Sequence, residues 1–227
     1  MTKTPKVYLS INSSKQAAWQ RFKSRWSNCR LCPLYKNRSK LTVNVRGQAP
    51  ADVVFVGEGP GESEDLIGFT FVGPAGKLLD EMIEEAKVQS TSYWEEVNKG
   101  KEIDYSVTDK VQSLRIAFVN LVACIPIKEG ASRLDGTSVR EPKAKEISQC
   151  HPRLKELLDI LEPTTLILAG KQAQKLNLPG YMIQTMAHPA SLLRNPDARQ
   201  YGIEYAKCVH AIRNALVTTA QEDIIPF

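Results

Sequence analysis

The sequence predicts an α/β fold: a three-layer α/β/α sandwich with a central, mostly parallel four-stranded sheet. Two observations lead to this prediction. Short apolar segments alternate along the chain with segments of helical periodicity, and the segment ADVVFVG is almost continuously apolar. Continuous apolar strands are typical of parallel sheets that are covered on both faces by helices. The four predicted strands are residues 51–57, 116–122, 164–170 and 181–186.

The predicted helices lie before, between and after these strands. The first, over residues 15–28, places Trp19, Phe22 and Trp26 on one face at spacings of three and four. The polar segment 88–114 has no such pattern and indicates an insertion. We therefore expect one domain over residues 1–227, with a helix and a cysteine pair at 15–32. The remaining helices are predicted over 74–87, 142–163 and 200–218, with a short one from Lys171.

Composition limits the class of protein. A chain of 227 residues with 42% hydrophobic content can bury the core of one well-packed domain. No apolar run reaches the roughly 20 residues that span a bilayer, and the first residues lack the apolar core of a secretion signal. We expect a cytoplasmic protein with no membrane contact. The net charge of +5 is compatible with a polyanionic partner but does not identify one.

The first strand runs into a glycine-rich, acidic loop, GEGPGESED. It matches neither G-x-x-x-x-G-K-[ST] nor G-x-G-x-x-G, and its carboxylates would repel phosphate, so nucleotide binding is disfavoured. A carboxylate beside a glycine turn suits activation of water or stabilisation of a cationic transition state. Glu58 and Glu64 are the candidates for this chemistry. The alternative is that the carboxylates only cap and solvate the turn, which we favour for Glu62 and Asp65.

The predicted sheet topology places this loop close to three other segments. In a parallel sheet, ligands bind outside the carboxyl ends of the strands. That edge would bring together the GEGPGESED loop, Asn120, Gly170 and the segment AHPASLLR, which contains His188. We expect the functional site there.

Four of the five cysteines form a second candidate site. Cys29 and Cys32 have C-x-x-C spacing, and Cys124 and Cys150 flank the predicted connection after the second strand. Four thiolates suit either a tetrahedral zinc ion or a four-iron cluster. Alternatively, Cys124 and Cys150 are buried small hydrophobic residues. We expect Cys208 to pack within the last helix.

Together these segments resemble the uracil-DNA glycosylase superfamily, and most closely its fourth family, the iron–sulfur enzymes of bacteria, archaea and some phages. The resemblance covers about residues 15–195, and its segments occur in the family's order. They are CRLCPLYKNRSK, ADVVFVGEGPGESED, FVGPAGKLLDEM, NLVAC, EISQCHPRL, LILAG and HPASLLR.

The resemblance implies a uracil-DNA glycosylase-like fold and a DNA repair enzyme of prokaryotic or phage origin. Such an enzyme flips uracil out of single- or double-stranded DNA and hydrolyses its N-glycosidic bond, leaving an abasic site. The alternative is a catalytically weak DNA-binding or replication-accessory module on the same fold. We expect a monomer, with 88–114 as a candidate surface for a protein partner.

The resemblance also implies roles for individual residues. Phe71 would stack on uracil, Asn120 would read its edge, and His188 would stabilise the developing oxyanion with backbone N–H groups of the loop. Glu64, or failing that Glu58, would position the water. The implied uracil-binding set is Gly57, Glu58, Gly59, Gly61, Phe71, Asn120 and His188.

For DNA and the cofactor, the resemblance implies two further sets. Ser191, Leu192, Leu193 and Arg194 would meet DNA, with Leu192 or Leu193 as a wedge in the minor groove and Arg194 near phosphate. A [4Fe–4S] cluster of structural role would be held by four cysteines, with structural zinc as the alternative. They are Cys29, Cys32, Cys124 and Cys150. One departure from the family is GFTF at 68–71, where a Gly-Arg-Pro-Phe segment is usual.

Overall fold

The computed structural model describes residues 8–97, 106–131 and 138–222. They form a six-stranded sheet in the order β1-β2-β4-β3-β5-β6, in which only the β2–β4 pair is antiparallel. The α/β prediction is confirmed, and all four predicted strands are present. The strands are Leu9–Ile11 (β1), Arg46–Ala49 (β2), Val53–Gly57 (β3), Ile116–Asn120 (β4), Thr165–Ala169 (β5) and Met182–Met186 (β6).

The predicted strand count was too low by two. β1 has three residues, and β2 is RGQA, so neither carries an apolar run. Both strands lie at one edge of the sheet, where they are only partly buried and need no continuous apolar sequence.

Helices cover both faces of the sheet, which gives the three predicted layers. β3 shows why: Val53 and Phe55 face the core formed with α3 and α7, while Val54 and Val56 face the core formed with α1 and α5. The helices are Gln16–Trp26 (α1), Glu62–Ile67 (α2), Pro74–Val97 (α3), Ser106–Ser113 (α4), Ala144–Leu161 (α5), Pro189–Leu193 (α6) and Ala198–Glu222 (α7). Single 3₁₀ turns occupy Ser13–Lys15, Pro33–Lys36 and Ala173–Lys175.

The segment 88–114 is more ordered than its sequence indicates. α3 continues through it to Val97, and α4 follows, with residues 98–105 outside the described part of the chain. Val111 and Leu114 are buried in the same core as α7. Part of this segment therefore packs on the domain. Its role as a partner surface stays a prediction.

In the described ranges, no helix is both long and apolar enough to cross a membrane.

Candidate active site

The carboxyl ends of β3 and β4 bring Gly57, Asn120 and Phe71 together. Gly57 and Asn120 are direct neighbours across the two strands. A Cβ atom on Gly57 would lie 2.5 Å from Asn120 Oδ1 and 2.6 Å from Phe71 Cζ, so only glycine fits. Asn120 is 3% exposed, and its amide group has no hydrogen-bond partner among the described residues. The amide donor and acceptor are therefore both available to a ligand beside an aromatic ring.

Phe71 is held in a conformation that the surrounding loop must enforce. Its φ of 52° lies in the left-handed region, which costs about 1–3 kcal/mol for a residue with a side chain. Gly76 allows this turn, because a Cβ there would lie 1.8 Å from the Phe71 carbonyl oxygen. The Phe71 ring lies 6.0 Å from the His188 ring, centroid to centroid, with 23° between the planes. Strain at a pocket aromatic is typical of a functional site.

Glu64 fastens this loop. It is 8% exposed, and its carboxylate accepts hydrogen bonds from Gly61 N–H at 3.1 Å and Gly73 N–H at 2.8 Å. One oxygen thus caps the start of α2, and the other holds the main chain two residues after Phe71. Both carboxylate oxygens are engaged by backbone, so the geometry favours a structural role for Glu64 over water activation. The resemblance made Glu64 the first candidate for positioning water, and the sequence pattern gives no sign of its contact with Gly73.

Glu58 has a different environment. It is half-buried, and its Oε1 accepts a hydrogen bond from Gln172 N–H at 2.8 Å. Burial raises the pKa of this carboxyl above its ordinary value, although the Gln172 N–H lowers it. Its Oε2 has no hydrogen-bond partner in the described part of the chain. Glu58 therefore keeps one oxygen for a ligand or water.

His188 caps the start of α6, where its Nδ1 accepts a hydrogen bond from Ala190 N–H at 3.2 Å. An accepting Nδ1 assigns the proton of the neutral ring to Nε2. Burial, with the positive charge of Arg194, lowers the pKa of His188 to about 4. The ring is therefore a neutral donor at physiological pH.

The other two acidic residues of the loop make structural contacts. Asp65 is 3% exposed and accepts hydrogen bonds from Ser39 N–H at 2.9 Å and Ser39 Oγ–H at 2.5 Å. Glu62 Oε1 accepts a hydrogen bond from Ser138 Oγ at 3.0 Å. The sequence indicated a solvated Asp65. In the structure Asp65 is buried instead, and it joins α2 to the segment that follows the cysteine pair.

The four residues expected at DNA differ in exposure. Ser191 and Arg194 are exposed, and Leu193 is 48% exposed. Leu192 is 3% exposed and packs in the core with α3 and α7. A wedge must reach the surface, so Leu193 fits that role and Leu192 does not.

A family model of the uracil DNA glycosylase superfamily matches residues 45–213. The chain belongs to the uracil-DNA glycosylase superfamily. A type-4 uracil-DNA glycosylase of Saccharolobus solfataricus is 30% identical over 196 residues, covering 76% of this chain and 76% of the relative. Another type-4 uracil-DNA glycosylase, of Sulfurisphaera tokodaii, is 28% identical over 186 residues, covering 82% of this chain and 67% of the relative. A third, of Thermotoga maritima, is 26% identical over 189 residues, covering 75% of this chain and 81% of the relative.

In this superfamily member, four cysteine thiols line one pocket between the N-terminal segment, the loop after β4 and α5. The four are Cys29, Cys32, Cys124 and Cys150, all free thiols. Burial raises the pKa of Cys124 to about 11, against the lowering effect of Arg38. Across residues 8–97, 106–131 and 138–222, no three His, Cys, Asp or Glu side chains are close enough to hold a single metal ion.

Four cysteines in one pocket supply the soft ligands that either a zinc ion or a four-iron cluster requires. All four cysteines line the pocket, and the buried Oε1 of Gln149, another lining residue, has no hydrogen-bond partner in the described chain. Ligands of one zinc ion all lie about 2.3 Å from the metal, whereas a four-iron cluster is wider and separates its cysteines. Cys124 and Cys150 also pack against Leu34 and Val122, so they contribute to a small core as well. Cys208 is 1% exposed in the core with α7, and the packing prediction for it is confirmed.

Sequence reasoning missed two residues at the site. Gln172 follows β5 and orients Glu58 through its main-chain N–H, for which a sequence carries no signal. Arg153 is a buried arginine whose Nη1 donates to the Asn120 main-chain oxygen at 3.4 Å. For Arg153, the available signal was an arginine beside Leu154 within the predicted helix over residues 142–163.

Proposed function

We propose that this protein is a uracil-DNA glycosylase of DNA repair, which flips uracil out of DNA and hydrolyses its N-glycosidic bond, leaving an abasic site. One observation carries the proposal: the Asn120 amide, free of other partners, lies against the Phe71 ring at the sheet edge where ligands bind. The relatives named type-4 uracil-DNA glycosylases give the substrate class.

The pocket suits uracil and rejects cytosine. The Asn120 Oδ1 would accept a hydrogen bond from uracil N3–H, and its Nδ2 would donate to O4. Cytosine presents an acceptor and a donor in reversed places, so both bonds would become mismatches. A buried polar group left unpaired is how a site rejects a close analogue by about 10⁴–10⁵-fold.

Cleavage of the N-glycosidic bond creates negative charge on uracil and positive charge on the sugar, and the site has groups that would stabilise each. Negative charge develops on uracil, where the neutral His188 Nε2–H and the loop N–H near Gly59 would donate to the oxyanion. Cationic character develops on the sugar, where a carboxylate stabilises it and positions water. We assign this role to Glu58, because both oxygens of Glu64 are engaged by main-chain N–H groups.

The surface beside the pocket suits DNA. Leu193 would fill the space left by the flipped nucleotide, since it is exposed at the end of α6. The exposed Arg194 follows it and would contact phosphate.

We also propose that Cys29, Cys32, Cys124 and Cys150 hold a [4Fe–4S] cluster. When bound, the cluster would cross-link the N-terminal segment to the loop after β4 and to α5. The pocket supports this assignment because four cysteines line it, and four thiolate ligands are what such a cluster requires. Absorbance near 400 nm and about four irons per chain are the expected readouts. A colourless protein with one zinc per chain would contradict the cluster.

The activity is tested with single- and double-stranded oligonucleotides that contain one uracil, followed by alkaline cleavage of abasic sites. We expect strand breaks with the unsubstituted protein and a strong loss with Asn120→Ala. Matched oligonucleotides with cytosine or thymine at the same position are the controls. No product above the Asn120→Ala level would reject the enzyme and favour the DNA-binding or replication-accessory module.

A further inference from the structure

Arg153 is an unusual residue at the wall of the cysteine pocket. It is 2% exposed, the largest of the fully buried side chains, and lies on α5 one turn after Gln149 and three residues after Cys150. No carboxylate in the described ranges lies within 4 Å of its guanidinium. Burying a cation without a compensating negative charge is strongly unfavourable. A negative charge bound in the pocket that Arg153 lines would provide that compensation.

The contacts of Arg153 within the protein do not neutralise it. Its Nη1 donates to the Asn120 main-chain oxygen at 3.4 Å, and its guanidinium carbon lies 6.0 Å from the centre of the Phe22 ring. A carbonyl dipole and a ring at that distance stabilise a cation only modestly. A cluster bound by four thiolates carries net negative charge and would lie in the same pocket.

We propose that Arg153 is a positioning residue that couples the cysteine pocket to Asn120. Its guanidinium compensates the charge of the cluster on one side and holds the Asn120 main chain on the other. This inference rests on the proposed function, because it takes Asn120 as the base-reading residue and the four cysteines as cluster ligands. Asn120 lies at the end of β4, so a shift of its carbonyl also moves the amide that reads uracil.

Arg38, a second arginine beside the cysteines, provides a matched control. Its Nη1 lies 4.0 Å from Cys124 Sγ and donates to the Cys29 main-chain oxygen at 2.8 Å, while Nη2 donates to Asn28 Oδ1 at 2.6 Å. It thus offers charge to the cysteines, but among the described residues it makes no hydrogen bond to Asn120. If charge alone matters, loss of either arginine has the same effects.

The experiment compares Arg153→Met, Arg153→Lys and Arg38→Met as iron-loaded proteins. Iron content, the reduction potential of the cluster, kcat and KM on a uracil oligonucleotide are measured for each. Both methionine variants are expected to lower the reduction potential, because a nearby cation stabilises the more negative reduced cluster. Only Arg153→Met is expected to lower kcat, by about 10- to 100-fold as for other residues that orient a ligand, with KM for DNA unchanged.

Arg153→Lys tests charge compensation and the contact with Asn120 separately. It also provides the test if Arg153→Met does not fold. Lysine keeps the charge but lacks the planar guanidinium, so the potential should stay near the unsubstituted value while kcat falls. An unchanged kcat in Arg153→Lys and Arg153→Met would overturn the link to Asn120. An unchanged potential in Arg153→Met, or a shifted one in Arg153→Lys, would overturn charge compensation. Absence of iron or of uracil release in the unsubstituted protein would instead contradict the proposed function.

Discussion

Glu58 and Glu64 lie in one loop, but their carboxylates have different environments: that of Glu58 accepts one main-chain hydrogen bond, whereas that of Glu64 accepts two. Burial raises the pKa of Glu58, so its ionised form is held at some cost to folding. We expect Glu58→Gln to slow base release by about 10²–10⁴-fold, the range for removal of a general base. Its stability should match or exceed that of the unsubstituted protein at neutral pH.

The pH dependence of that stability difference checks the assignment. The folded pKa lies above the unfolded value of about 4.3, so the ionisation cost of Glu58 is absent below that pH. It grows as the pH rises from the unfolded pKa to the folded pKa and is complete above the folded pKa. Urea unfolding of both proteins at pH 4 and pH 8 should show the gain of Glu58→Gln only at pH 8. A variant that is less stable at pH 8 would contradict this account.

Glu64→Gln should lower the stability of the protein, in contrast to Glu58→Gln. The amide retains one acceptor oxygen, so either Gly61 N–H or Gly73 N–H is left facing an NH₂ group. Loss of a buried hydrogen bond of this kind costs about 1–3 kcal/mol of the free energy of unfolding. Weaker uracil binding should accompany it, because the Phe71 loop loosens. A fully stable variant with slow chemistry would instead assign Glu64 to water.

His188 should remain neutral through the pH range in which a free histidine titrates. Its pKa of about 4 predicts no inflection in kcat near pH 6.5. Because the folded pKa lies below the unfolded one, the contribution of His188 to stability is complete above pH 6.5 and is lost as pH falls toward 4. The ¹⁵N chemical shifts of the ring measure this directly. A ring that titrates near pH 6.5 would contradict the buried, Nε2-protonated form.

At the scale of the element, α6 presents two adjacent leucines to different surroundings. Leu192→Ala should destabilise the protein by about 2–5 kcal/mol, as for other core leucines, because it is buried. Leu193→Ala should leave stability unchanged and slow the release of uracil from double-stranded DNA. Its effect on single strands should be small, since no stack has to be opened there. Equal losses on both substrates would reject the wedge.

The elements also show what a sequence pattern can and cannot reveal. β3, β4 and β5 were predictable because strands buried on both faces need apolar residues throughout, as in VVFVG. The edge strand β6, MIQTM, is only partly buried and gave a weaker pattern. β2 was not predictable, because RGQA at the sheet edge is recognisable only from its pairing with β4. α2 was missed for a related reason: its first turn is acidic and follows glycine, and the N–H of Gly61 is capped by Glu64.

At the scale of the molecule, topology made the site edge predictable, but contacts between distant residues were not. The rule for parallel sheets correctly gathered the β3 loop, Asn120 and His188 around Phe71. It could not show that Gln172 orients Glu58 or that Arg153 supports Asn120, because main-chain donors and buried cations have no characteristic spacing. The different contacts of Glu58 and Glu64 therefore became visible only in the hydrogen bonds of the structure.

Removing iron tests whether a cluster in the cysteine pocket stabilises the whole fold as a cross-link. Cys32 and Cys124 are far apart in sequence, and closing a loop of about 100 residues can stabilise a fold by roughly 4–5 kcal/mol as an upper bound. Chelation after oxidation, or Cys124→Ser, should lower the free energy of unfolding. Amide exchange should rise first in α1 and the segment that follows it. Cys208→Ala removes a thiol outside the pocket and should keep its iron. Iron loss with unchanged stability and exchange would show that the cluster does not cross-link the fold.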